Sequence, residues 1–453
     1  MMDEQMSGTA FPIFLRRAVL VVASSALLAG CGIFGGSDKA KTPTVGNRTP
    51  ILSNIATEVA ADPSLAGVAV VLPPAQANTE WAQMGGNASK STGHVALGDA
   101  PAQAWTATVQ GTSKRERLAA SPVIGNGMLY AVDTTGAVNA FDAATGAKRW
   151  NYQLALERDL RDSGFGGGAS YFDGKVFATS GAGDVVALDA NTGAELWRVK
   201  PSGPLRGAPT VAFNAVYAMT QDNQIFALDL NDGKIIWQDA AGAGEAGVFG
   251  VATPAAGQGT VIAGYSSGEL VAYRYENGRV LWSDALARTS ISTSVSTLTD
   301  VDADPIIDGG RVYALGQGGR MAAYELVTGQ RIWELTLAGI STPAVAGEWI
   351  FTLTDDARLL AIARSTGRVR WITQLEHYRN PEKRTDPVFW TGPVLAGNKL
   401  WIASSRGKVF SVDVTTGEPT EFAELSSGVS LPPIVANQTL YILADDGKIT
   451  AFR

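Results

Sequence analysis

One spacing recurs along this chain. Pro122 to Trp150 is a step of 28 residues, and the same step separates Pro209 from Trp237, Pro254 from Trp282, Pro305 from Trp333 and Pro343 from Trp371. Ala169 and Trp197 keep it with Ala in the first slot. Pro393 keeps it with Glu421, Phe422 standing one place past the Trp slot, and Pro433 opens an eighth copy that the chain end cuts short. A repeat of this length makes the chain an array of one supersecondary unit, so the architecture follows from the unit and from how its copies stack.

The unit reads as β-structure. Eight residues after the first slot stand Tyr130, Phe177, Tyr217, Ile262, Tyr313, Phe351, Trp401 and Tyr441, inside short β-rich runs such as VYAM (216–219). Runs of this length bounded by Gly, Asn and Asp are strands. Twenty-four residues after the slot, Gly146, Gly193, Gly233, Gly278, Gly329, Gly367 and Gly417 each follow Thr, Asp or Asn. Such pairs suit a tight hairpin turn, where Gly adopts positive φ without a Cβ clash. An earlier turn is marked by Gly136, Gly183, Gly268, Gly319, Gly407 and Gly447. Each unit is therefore a four-stranded antiparallel meander. Pro has no N–H to donate and belongs where the first, innermost strand begins.

The ends of the array choose between a ring and an open solenoid. The eighth copy stops at Arg453 with three strands, while AWTATV (104–109) carries a Trp with no three strands before it. The two fragments complete one another if the ring closes. The expected fold is all-β: an eight-bladed β-propeller of four-stranded antiparallel blades, with an N-terminal strand completing the last blade. Trp105, Trp150, Trp197, Trp237, Trp282, Trp333 and Trp371 are then blade-packing residues rather than a ligand-binding series. Burying such a side chain removes ~150–250 Å² from water, roughly 4–6 kcal/mol of gross burial as an upper bound.

Outside the repeat, Arg16 and Arg17 precede an apolar run, AVLVVASSALLAG (18–30), that ends at Cys31. This pattern is an export signal, too short to span a bilayer. LLAGC (27–31) resembles the bacterial lipoprotein lipobox, which implies that Cys31 becomes an acylated first residue. The expected organisation is a signal peptide over 1–30, a lipidated N-terminus and flexible tether over 31–80, and the propeller over 81–453. A tether of about 50 flexible residues reaches on the order of 40 Å. Gly32 follows the Cys, and no Asp stands there to suggest inner-membrane retention.

Composition narrows the chemistry. A net charge of −7 without basic clusters argues against a nucleic-acid partner. The chain has only His94, His377 and one Cys, so no His/Cys metal site is expected, and no G-x-S-x-G elbow accompanies His377. Segments such as ALDANTGAELW (187–197) resemble the quinoprotein propeller repeat. In quinone-dependent alcohol dehydrogenases that ring holds a quinone and calcium, usually against a disulfide of adjacent cysteines, which this chain cannot form. The expectation is no cofactor and no enzymatic activity.

Length variation is confined to the gaps between each Trp slot and the next first slot. These gaps join the outer strand of one blade to the inner strand of the next and emerge on one face, where insertions in repeat arrays mark binding surfaces. Three stand out: 156–168, 285–305 and 375–390, the last (LEHYRNPEKRTDPVFW) mixing charge with aromatics. LRGAP (205–209) and LTDVDADP (298–305), together with WAQMGGNASKSTGH (81–94) and the lipobox, look like the family of BamB, the lipoprotein of the outer-membrane β-barrel assembly machinery. The resemblance implies a periplasm-facing, lipid-anchored outer-membrane protein that binds BamA at its POTRA domains and, through it, the rest of the BAM complex. Leu205 and Arg206 would be contact residues, with Asp300 and Asp302 in a neighbouring acidic loop. It also admits nascent outer-membrane proteins as partners. A quinone-dependent dehydrogenase and a periplasmic ligand-binding propeller are the alternative readings.

Overall fold

The structure, a computed structural model, describes residues 59–154, 166–205, 207–242, 252–286 and 300–453. The signal segment, Cys31 and Arg206 lie outside the described residues. Eight four-stranded antiparallel sheets form the blades of a propeller. Blade 1 spans residues 123–153, blade 2 169–199, blade 3 210–240, blade 4 255–285, blade 5 306–335, blade 6 344–374 and blade 7 390–424. Blade 8 joins residues 434–452 to the N-terminal strand Gln103–Thr108, which pairs antiparallel with Lys448–Phe452. Ala102 and Arg453 exchange backbone hydrogen bonds of 2.8 Å in each direction, so the two ends of the ring are sewn together.

Each Trp ties its blade to the following one. The Nε1–H of Trp105, Trp150, Trp197, Trp237, Trp282, Trp333 and Trp371 donates to a backbone carbonyl of the next blade, at 2.8–3.2 Å. The indole lies flat on the Gly turn of that blade. A Cβ built on Gly146, Gly193, Gly233, Gly278, Gly329, Gly367 or Gly417 would stand 2.5–2.8 Å from the ring facing it. These glycines also have φ between +68° and +76°. Glycine is required twice over, for the turn and for the close approach.

The strand that presents the Trp is prepared for it. In seven blades the third and fourth strands carry a β-bulge just before the Trp, which pairs with an Ala: Ala140, Ala187, Ala227, Ala272, Ala323, Ala361 or Ala451. A bulge adds local twist and re-aims the next side chain, and the small Ala leaves room for it. In blade 7 the position equivalent to these alanines is Ser411. There the residue left over in the bulge is Phe422, which packs edge-on against Trp401 and Phe452 at 4.9 and 5.2 Å. Blade 8, built from two chain ends, has no Gly turn on which an indole could lie. The Trp is missing where its platform is missing.

Residues 59–97 are built onto the propeller. Trp81 is 5% exposed and exchanges backbone hydrogen bonds of 2.9 and 2.8 Å with Ile124 of blade 1. Ala82 O accepts from Tyr171, Ala88 O from Ala256 and Ser89 O from Ile307, reaching blades 2, 4 and 5. The amide of Gln83 clamps both backbone groups of Val211 in blade 3 at 2.9 Å. Val95 O accepts from Gly397 of blade 7, and Asn78 O from Asn437 of blade 8. The segment thus threads past inner strands around the ring, at the end where first and second strands turn. The tether expected over 31–80 is shorter on this side. Asp62 N–H donates to Val369 O of blade 6 at 2.7 Å, because the outer strand there offers a free carbonyl edge.

Two substitutions separate strain from contact at the Gly turns. Gly278→Ala combines a positive φ with a Cβ inside the Trp237 ring and should cost roughly 2–4 kcal/mol. Gly174→Ala has a similar φ of +74° but nothing within 4 Å, and should cost roughly 1 kcal/mol, the strain alone. Denaturant unfolding of the two variants measures the difference.

Candidate functional site

The outer-to-inner connections and the turns between second and third strands share one face, and the N-terminal segment packs at the opposite end. The two connections singled out by sequence both lie on this face, one between blades 2 and 3 and one between blades 4 and 5.

Leu205 ends the described part of the first connection. Its backbone bridges to Thr220, and its side chain is 1% exposed among Phe177, Val185, Val211 and Val216. Expected as an apolar anchor for a partner, it anchors its own loop instead, because the crevice between blades 2 and 3 buries it more completely than a surface contact would. In the second connection Asp300 is fully buried, its carbonyl accepting from Gln317 N–H at 2.9 Å, and Val301 N–H donates to Tyr265 O at 3.2 Å. Asp302 is half-buried. Both loops are therefore pinned by a buried residue beside a more accessible polar neighbour.

Asp304, third in the acidic run, points into the molecule. Its carboxylate accepts from Thr253 N–H at 2.7 Å, and its own N–H donates to Thr342 Oγ1 at 3.0 Å. It faces Lys90, which the N-terminal segment carries into the hub and whose ammonium donates to Thr210 Oγ1 at 3.1 Å. Burial pulls the Lys90 ammonium down to about 8, and the Asp304 charge partly offsets this. Burial likewise pushes Asp304 up, against the pull of Lys90 and Thr253. Sequence reasoning missed this pair. A lone Lys in a Ser/Gly-rich stretch and an Asp before a Pro carry no signal of pairing 214 residues apart.

His94, 4% exposed, is engaged on both nitrogens. Pro73 O can only accept, at 2.8 Å from Nδ1, and Asn398 N–H can only donate, at 3.0 Å to Nε2. The ring is held as the neutral Nδ1–H tautomer, tying the N-terminal segment to blade 7. His377 stacks on Tyr378 with centroids 4.2 Å apart. No cluster of three metal-ligating side chains occurs among the described residues.

Comparison with known proteins follows the same lines. A family model described as outer membrane protein assembly factor BamB matches residues 88–164 and 154–373. The protein of that name from Moranella endobia is 24% identical over 334 residues, spanning 73% of this chain and 84% of the relative. The crystal structure of BamB from Moraxella catarrhalis superposes with a TM-score of 0.65 at 20% identity, covering 78% of this chain and 99% of that one. A quinohemoprotein alcohol dehydrogenase from Comamonas testosteroni reaches the same TM-score, 0.65, at 15% identity, covering 83% of this chain and 81% of that one. At such identities structural likeness speaks for the propeller alone.

The buried pair makes a pH-dependent prediction. Between pH 8 and 10.5 the unfolded chain holds the Lys90 proton while the fold releases it, so this group's contribution to stability rises with pH across that window. Lys90→Met should abolish that rise. At neutral pH it should also destabilise by about 3–5 kcal/mol, having left Asp304 buried without its counter-charge, and Lys90→Met/Asp304→Leu should recover most of the loss. Urea unfolding at pH 7 and pH 9.5 checks both.

Proposed function

The chain belongs to the family of the outer membrane protein assembly factor BamB, and from this premise we propose that it is a non-enzymatic scaffold lipoprotein of outer-membrane protein assembly. It binds BamA in the POTRA region and, through it, joins the rest of the BAM complex while nascent barrel proteins fold and insert. The observation that carries the reading is the family match across the propeller, combined with two connections pinned side by side on one open face. A scaffold needs rigidly held contact loops, since ordering a loose loop on binding subtracts from affinity.

The burial pattern assigns roles within that surface. Leu205 and Asp300 are positioning residues. Arg206, beside the first, offers a planar fork of donors, and Asp302, beside the second, a carboxylate; these two are the proposed contacts with BamA. Cys31 is the proposed acylation site, anchoring the protein to the periplasmic leaflet of the outer membrane. From Cys31 to Val59, where the described chain begins, are 28 residues. At ~3.5 Å per residue they set an upper limit of about 100 Å on the distance between anchor and propeller. Likeness to the alcohol dehydrogenase is a likeness of fold and brings no cofactor site with it.

Co-purification from detergent-solubilised membranes tests the assignment. Arg206→Glu should cut BamA recovery about tenfold, equivalent to ~1.4 kcal/mol, with the melting temperature unchanged. Leu205→Ala should lower stability by about 2–5 kcal/mol through the cavity it leaves. Recovery that is indifferent to both Arg206→Glu and Asp302→Lys would remove this surface from consideration. Cys31→Ala should shift the protein from the membrane to the soluble envelope fraction.

A further inference from the structure

Half a turn round the ring from Leu205, the connection between blades 6 and 7 folds into a hairpin of its own. Tyr378–Asn380 pairs with Thr385–Pro387, and among the described residues no third strand joins them. The base of the hairpin is fixed. Val388 N–H donates to His377 O at 2.9 Å and Trp390 Nε1–H to Glu376 O at 2.8 Å. Ser405 holds Phe389 on both sides, its N–H donating to Phe389 O at 2.8 Å and its Oγ accepting from Phe389 N–H at 3.0 Å. The second strand itself, Thr385–Pro387, is exposed along its whole length. A two-stranded ribbon held only at its base is a strand edge open to another chain.

Two residues beyond that strand lies the mouth of the central channel. A cavity of about 750 Å³ opens there, with Ile340, Phe389, Trp390 and Leu431 at its entrance and Trp81 of the N-terminal segment lining it. Phe389 is 65% exposed and Ile340 47%, a large apolar area to leave in water. Polar groups of the lining are already engaged. Ser121 Oγ donates to Pro432 O at 2.7 Å, Ser430 Oγ to Asp445 Oδ2 at 3.0 Å, and Thr342 Oγ1 accepts from Asp304. The cavity therefore offers apolar burial, and its volume is that of a site for side chains rather than for a folded domain.

An unpaired strand edge beside an apolar cavity matches one kind of ligand. An extended polypeptide gains backbone hydrogen bonds along the edge and turns every second side chain to one side, into the cavity. A small apolar molecule would use the cavity and leave the edge idle. We propose that the hairpin at 378–387 and the channel mouth form a second binding surface, distinct from that of Leu205–Arg206 and Asp302, for an extended segment with apolar side chains at alternate positions. The identity of the partner rests on the assembly reading above: strands of outer-membrane barrels alternate apolar and polar residues and carry aromatic girdles.

The probe is a fluorescein-labelled synthetic peptide of about ten residues with alternating aromatic and polar positions, titrated with the full-length lipoprotein in detergent and followed by anisotropy. A control peptide has the same composition with its apolar residues grouped. The alternating peptide should bind at least tenfold more tightly than the control. Phe389→Asp/Ile340→Asp, both at exposed positions, should weaken it at least tenfold with circular dichroism and melting temperature unchanged. Arg206→Glu should leave it unaltered. Equal binding of the two peptides, or indifference to the Phe389/Ile340 variant, overturns the proposal, as does uptake of a small apolar dye at the mouth without peptide binding. A photoreactive residue at position 389 gives an independent reading, because a peptide bound elsewhere forms no crosslink there. BamA recovery with the same variants separates the two ideas: lost peptide binding with recovery intact sinks only this surface, whereas absent recovery in the wild type sinks the scaffold reading.

Discussion

The contact between a Trp on one blade and a Gly turn on the next holds the ring together. It works only as a set. The indole needs a bulge to aim it, an Ala across the ladder to make room, a carbonyl for its N–H, and a turn without a Cβ to lie on. Buried indole area supplies the energy, and the hydrogen bond fixes the orientation, since an unmade bond there would cost more than the made bond contributes. Each lock joins neighbours only, so the ring could be extended blade by blade without any central core. Closure is then a matter of the ends, and the strand Gln103–Thr108 carries Trp105 onto blade 1 as the outer strand of blade 8.

The N-terminal segment does a different job. A propeller of this size leaves a channel along its axis, and a channel open at both ends exposes the inner strand edges. Residues 76–97 satisfy those edges from one end, through Trp81, Gln83, Ser89 and Val95, and His94 fastens the segment to blade 7. Lys90 and Asp304 then sit together in the hub, a polar pair costly to bury and costlier to break. The two faces consequently differ in character. One is occupied by the protein's own chain, and the other carries the long connections and the channel mouth, leaving it the face for partners.

Legibility in the sequence followed periodicity. The Gly and Trp slots could be read because every copy needs them for the same steric reason, and repetition made the requirement visible. Ala at the position across from Trp repeats just as strictly, yet a small residue in a strand carries no signal until the ladder shows what it faces. Leu205 was legible as an unusual residue in a variable loop, but its direction was not, because an apolar side chain in a connection can face a partner or its own blade. Lys90 and Asp304 left no mark, each occurring once and pairing across the whole molecule.

Sequence by itself determined the blade, the number of copies, the closure by an N-terminal strand and the face on which variation collects. All of these depend on local turns and on packing between adjacent copies, which repeat and so can be counted. Tertiary structure decided what happens once per molecule: the path of residues 59–97 through the hub, the burial of Leu205 and Asp300, and the hairpin beside an apolar channel mouth. These depend on which distant groups share a space, and only the closed ring brings them together.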